Sequence, residues 1–179
     1  MAVRGLDRFK ETFADDTDQF VMIGGAACDQ WFTDQQLVFR PTKDLDFVLI
    51  LEELSPDFVQ KLWSFIQEGG YKHREHGEKE SASLYRFSAP TETDYPVQLE
   101  LLSRRPGNIF PETDQVIVPI RLQDTPSLSA ILLHPVYYDY LLKNRINLNG
   151  LPMASAPTLI LFKVRAWLNL TESKKTDSQ

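Results

Sequence analysis

The chain has 179 residues, 42% of them hydrophobic and 25% charged, the make-up of one globular domain or of one domain with a small appendage. A net charge of -6 argues against a general DNA binder or a binder of anionic membranes, whose surfaces carry the opposite sign. No stretch approaches the ~20 apolar residues of a membrane span, the N-terminus has no signal-peptide core, and the lone Cys28 has no partner for an internal disulfide, so a cytoplasmic protein is expected.

In chain order, Leu6, Phe9 and Phe13 recur at helical spacing and predict a helix over residues 4–14. A polar connector follows, then a short buried strand over residues 19–23 that ends at Gly24-Gly25. A helix is expected over residues 26–35, with Ala27, Cys28, Trp31 and Phe32 on one stripe, and residues 37–41 form a loop. Residues 44–51 begin Asp-Leu-Asp and continue as an unbroken apolar run, the right length for a buried strand. Ser55-Pro56 is an N-cap followed by proline, and Phe58, Leu62, Phe65 and Ile66 give that helix a buried stripe before Gly69-Gly70 stops it. Residues 71–82 are charged and expected to be exposed.

Further strands are expected over residues 84–87, 95–102 and 116–122, and residues 127–133 fit either a strand or a helix. In the second of these, Val97, Leu99 and Leu101 alternate with Gln98, Glu100 and Leu102. From Pro135 the pattern is helical to about Asn144, with a turn over 147–150. A strongly apolar helix over 158–170 is expected to pack on the rest, and a polar tail ends at Gln179. The fold class is α/β (α+β): a short mixed sheet with helices on one face. Residues 1–124 form the core and 125–179 a mainly helical extension, without a firm boundary. The chain stops soon after a helix, which is compatible with a piece of a longer protein.

The chemistry centres on Asp44 and Asp46. Alternate residues of a strand point the same way, roughly 7 Å apart, so the two carboxylates repel unless a cation lies between them. That suits a hard divalent metal; a solvated turn is the alternative. Gly24 and Gly25 let backbone approach an anion at the start of a helix, where free N–H groups and the positive helix end help; a tight turn without ligand is the alternative. Glu100 is a lone acid among apolar neighbours, either part of the same site or paired with Arg104, Arg105 or a lysine.

Strand, diglycine, helix, paired acids and a third acid on a neighbouring strand, in that order, resemble the DNA-polymerase-β-like nucleotidyltransferase superfamily. The minimal members are most similar, including toxins of type IV abortive-infection systems. The matching pieces are Ile23-Gly24-Gly25, Arg40 to Phe47, and Gln98 to Leu102, within residues 19–102. The resemblance implies an enzyme that moves a nucleoside monophosphate from an NTP to a hydroxyl. Asp44, Asp46 and Glu100 would be both catalytic residues and ligands of two Mg²⁺ ions. Gly24, Gly25, Thr42 and Lys43 would bind the triphosphate. The acceptor is open among tRNA, protein and small molecules. Two features depart from the pattern. Gly25 stands where a serine is common, and the linker over residues 26–43 is longer than usual. They motivate the alternative of an inactive nucleotide- or partner-binding module.

Other motifs carry less. Lys163 and Arg165 lie in the apolar last helix, which resembles a segment whose lysine faces the cleft in some relatives, but snorkelling to the surface is expected. His73 and His76 lack further zinc ligands at fitting spacing. Cys28 reads as core, His134 as a helix start, and Tyr137, Tyr138 and Tyr140 as packing residues. Ser103 lacks a Gly-x-Ser-x-Gly elbow, and no Walker-type loop is present.

Overall fold

The structure is a computed structural model that describes residues 3–73, 85–104, 117–120 and 128–176. Its elements in order are α1 (Leu6–Thr12), β1 (Phe20–Ile23), α2 (Gly24–Asp34), β2 (Asp44–Leu49), α3 (Pro56–Glu68), β3 (Lys72–His73) and β4 (Arg86–Ser88). Then come β5 (Gln98–Ser103), β6 (Ile117–Ile120), β7 (Leu128–Leu132), α4 (Pro135–Lys143), β8 (Arg145–Leu148), β9 (Leu151–Ala154) and α5 (Ala156–Thr176). The class is α/β, as expected.

The nine strands among the described residues belong to one mixed sheet, whose main path runs β3-β4-β5-β2-β1-β9-β8. β2 is antiparallel to β1 and parallel to β5, and β9 is parallel to β1. The outer edge of β5 is shared between two partners. β4 runs antiparallel beside Gln98 to Glu100, and β7 runs parallel beside Leu102 and Ser103.

The first half of the chain covers one face of this sheet. Leu45, Phe47 and Leu49 of β2 and Leu99 and Leu101 of β5 alternate toward it and are fully buried. Phe9 stands at its centre. Its ring centroid lies 4.6 Å from Phe13, 5.5 Å from Phe20, 5.3 Å from Phe47 and 5.7 Å from Phe65. α3 forms where the sequence signals it: Pro56 occupies the first turn, and the Ser55 hydroxyl accepts from the Phe58 N–H at 3.2 Å. Phe58, Leu62, Phe65 and Ile66 are buried as read.

Several expectations are corrected. α2 starts on Gly24, so the diglycine is the first turn of the helix. Of the two readings open for residues 127–133 the strand holds, over residues 128–132. The turn near 147–150 is a hairpin joining β8 to β9, with Asn149 at φ 55° and Gly150 at φ 81°, the left-handed pair of a two-residue loop. Residues beyond 125 therefore supply β7, β8 and β9 to the sheet as well as two helices. α5 is also less covered than its composition suggests: Ile160, Leu161, Val164, Trp167 and Leu168 are exposed. Residues 74–84, 105–116 and 121–127, with His76 and Arg105 among them, lie outside the described residues. No helix among the described residues is long and apolar enough to cross a membrane.

Candidate functional site

The second face of the sheet carries the polar residues that the alternation predicts. Asp44 and Asp46 project from β2, and Glu100 projects from β5. The parallel register sets Asp46 directly opposite Glu100 and Asp44 opposite Gln98. Adjacent strands lie about 5 Å apart, so the Asp46–Glu100 pair is a close pair of acids, with Asp44 two residues along the same face. Asp44 is exposed; Asp46 and Glu100 are half-buried.

The electrostatics follow. Burial first, then the charges of Glu100 and Asp44, raise the Asp46 carboxyl from its ordinary 3.8 to about 7; Arg86 and Lys163 pull it partly back. Glu100 has a partner that the sequence reading did not name. Arg86 of β4 faces it across the β4·β5 register and forms an ion pair and a hydrogen bond with its Oε1. Arg104, the candidate named from sequence, pairs instead with Glu52, Nη2 to Oε1 at 2.5 Å.

Gly24 and Gly25 are required by what touches them. Gly24 has φ +69°, and a Cβ there would sit 2.1 Å from Asp46 Oδ2. A Cβ on Gly25 would sit 2.5 Å from Thr42 Oγ1. The first turn of α2 is thus pressed against the Asp46 carboxylate and the Thr42 hydroxyl, and Ile23, its N-cap, offers no side-chain hydrogen bond to the free N–H groups. Lys43 is exposed.

Lys163, expected to snorkel to the surface, is a further cation at this face. Lys163 of α5 lies near enough to lower the carboxyl pKa of Asp46, and it opposes the burial that raises the Cys28 thiol. α5 therefore brings a positive charge to the acid face. The available signal was a lysine within a helix otherwise apolar on that stretch, which reads equally well as a snorkelling residue.

The set Asp44, Asp46 and Glu100 suits a hard divalent cation by donor type: oxygen ligands only, with a repulsion that a cation would relieve. In the present arrangement, however, no three His, Cys, Asp or Glu side chains among the described residues are gathered tightly enough to hold a metal ion, and Arg86 engages Glu100. Arg86 holds Oε1 of Glu100, so coordination by all three acids would use the other oxygen of Glu100 or would need it to leave Arg86.

The remaining candidates resolve into structure. Cys28 is buried in α2. Ser103 is fully buried and donates to the Leu49 carbonyl at 3.3 Å. His134 caps α4, its Nδ1 accepting from the Val136 N–H at 3.3 Å. Tyr138 is fully buried, and its hydroxyl donates to Glu52 at 2.7 Å and accepts from the Leu51 N–H at 3.1 Å. The side chain of His73 is not among those described.

No protein-family model, no curated protein and no solved structure matches the chain.

Proposed function

We propose that the chain is a metal-dependent nucleotidyltransferase that transfers a nucleoside monophosphate from an NTP to a hydroxyl acceptor. The observation that carries the reading is the juxtaposition of Asp46 with Glu100, and with Asp44 beside them, at the first turn of the Gly24-Gly25 helix. Acids and anion-binding backbone side by side suit a substrate that is a metal-bound polyphosphate.

In this reading Asp44, Asp46 and Glu100 hold Mg²⁺ ions. Bound Mg²⁺ supplies charge to the triphosphate and makes the attacking hydroxyl more acidic. The backbone N–H groups of α2 would receive phosphate oxygens, and Lys163 adds a positive charge near Asp46. Thr42 explains why a serine is absent at position 25. Its hydroxyl already fills the space over that backbone, so it supplies the oxygen a serine would have brought. The acceptor oxygen bonds to the α-phosphorus, the bond from that phosphorus to the bridging oxygen breaks, and pyrophosphate leaves with the electron pair. The hydroxyl proton passes to solvent. A cytoplasmic setting, where NTP and Mg²⁺ abound, goes with this chemistry.

The test is calorimetry with each NTP and Mg²⁺, followed by a pyrophosphate-release assay with RNA, protein and small-molecule acceptors. The expected result is Mg²⁺-dependent NTP binding and release that Asp46→Asn and Glu100→Gln both abolish. Absence of Mg²⁺-dependent binding refutes the proposal. A second reading, a nucleotide-binding module without turnover, is favoured by the Arg86–Glu100 ion pair. Binding without pyrophosphate release from any acceptor would select it.

A further inference from the structure

Next to the acids lies a cavity of about 420 Å³. Two of its residues come from the strands that carry the site. Ile23 is the register partner of Asp46, and Leu102 follows Glu100 by two residues on the same face of β5. The opposite walls come from the α4 and α5 region: His134, Tyr137, Phe162 and Arg165. The Tyr137 and Phe162 ring centroids are 5.9 Å apart at 81°, and those of His134 and Tyr137 are 5.9 Å apart at 68°. The lining is thus mainly apolar and aromatic, with few polar groups, as in pockets that take flat organic ligands.

The lining also limits the ligand's charge. Among the described residues it includes no carboxylate, so none of them neutralises a polycation such as an aminoglycoside. It has few hydrogen-bonding groups, so a bare sugar would lose more to desolvation than it regained. Its cation is Arg165, which has no ion pair among the described residues. Phe162 and Arg165 are three residues apart on α5, so their Cβ atoms lie about 5–6 Å apart on one helix face. A ring against Phe162 and an anion on Arg165 are then spaced much as the base and the 5′-phosphate of a nucleotide are.

We propose that this cavity is the acceptor pocket and that it binds a nucleotide unit, the base against Tyr137 and Phe162 and the phosphate on Arg165. The word acceptor rests on the nucleotidyl-transfer reading; the binding itself does not. The nucleotide unit is either a free mononucleotide or the end of an RNA strand. In both, the ribose hydroxyls would emerge toward Asp46 and Glu100.

The experiment is calorimetry in EDTA with AMP, ribose 5-phosphate and a short single-stranded RNA, on wild type, Leu102→Trp and Arg165→Gln. Leu102→Trp fills the cavity, and Arg165→Gln removes its cation while leaving the fold-bearing contacts in place. AMP or the RNA is expected to bind at least tenfold more tightly than ribose 5-phosphate, and each variant to weaken that binding at least tenfold at an unchanged melting temperature. Tighter AMP identifies the free nucleotide as the source, and tighter RNA the strand end. No binding of either, or binding that Arg165→Gln leaves unchanged, overturns the proposal. So does displacement of the bound nucleotide by NTP in the same EDTA buffer, which would assign the cavity to the donor. Because this readout needs neither metal nor turnover, it stands or falls apart from the pyrophosphate assay.

Discussion

Asp46→Asn is expected to make the protein more stable. Well below its ordinary 3.8 the Asp46 carboxyl is protonated in both the folded and the unfolded chain, and near pH 4 aspartate and asparagine still differ little. Between its ordinary 3.8 and about 7, only the unfolded chain releases the proton, so native stability falls as pH rises through that window and levels off above it. At about 1.4 kcal/mol for each tenfold change in proton affinity, the full loss is on the order of 4 kcal/mol. The side chain is only half-buried, and screening by water reduces the figure, so an advantage of roughly 2–4 kcal/mol at pH 8 is expected. For a chain of this size that is roughly 5–15 °C in Tm. The amide keeps the shape that Gly24 accommodates. The assay is urea unfolding at pH 4, 5.5 and 8, with the slope m compared to confirm that only stability changes. The advantage should be near zero at pH 4, intermediate at pH 5.5 and largest at pH 8. A variant no more stable than wild type at pH 8, or one equally advantaged at pH 4 and pH 8, would refute the reasoning.

The other predictions concern the residues around that carboxylate and the core behind it. Gly24→Ala puts a side chain at φ +69° against Asp46 Oδ2 and should cost roughly 2–4 kcal/mol, read as a lower urea midpoint. Lys163→Met removes a charge that favours ionised Asp46, so the pH at which stability levels off should move above 7; an unmoved profile would place Lys163 away from the site. Phe9→Ala leaves a void among four aromatic neighbours and should cost about 3–5 kcal/mol by chemical denaturation.

The sequence made legible what residue type alone decides. Ser55-Pro56 named the start of α3, and the Asp-Leu-Asp run named β2 and its polar face. The diglycine marked the strand-to-helix junction, although the helix begins on it rather than after it. What stayed hidden depends on pairing between distant strands. Nothing local to Arg86 says that β4 sets it across from Glu100, because register is fixed by the whole sheet. The β8–β9 hairpin has Asn149-Gly150 at its tip, but its strands are only four residues long and one carries Pro152, which cannot donate to a ladder, so little local pattern marks the pair. For α5, apolar composition suggested burial, yet a residue is buried only where another surface meets it, and Ile160, Leu161, Val164 and Trp167 remain largely exposed.

The place of β1 has a cost during synthesis. All four of its residues are apolar and buried, and its two neighbours emerge at very different times. Val21 meets Val48 soon after both leave the ribosome, whereas Met22 waits for Met153. Until then the nascent chain presents a bare hydrophobic strand edge, the kind of template on which growing polypeptides associate wrongly and to which chaperones bind. Closing the sheet on that side is a late, long-range event, and it makes the folding of this molecule slow relative to that of a helical bundle of equal length.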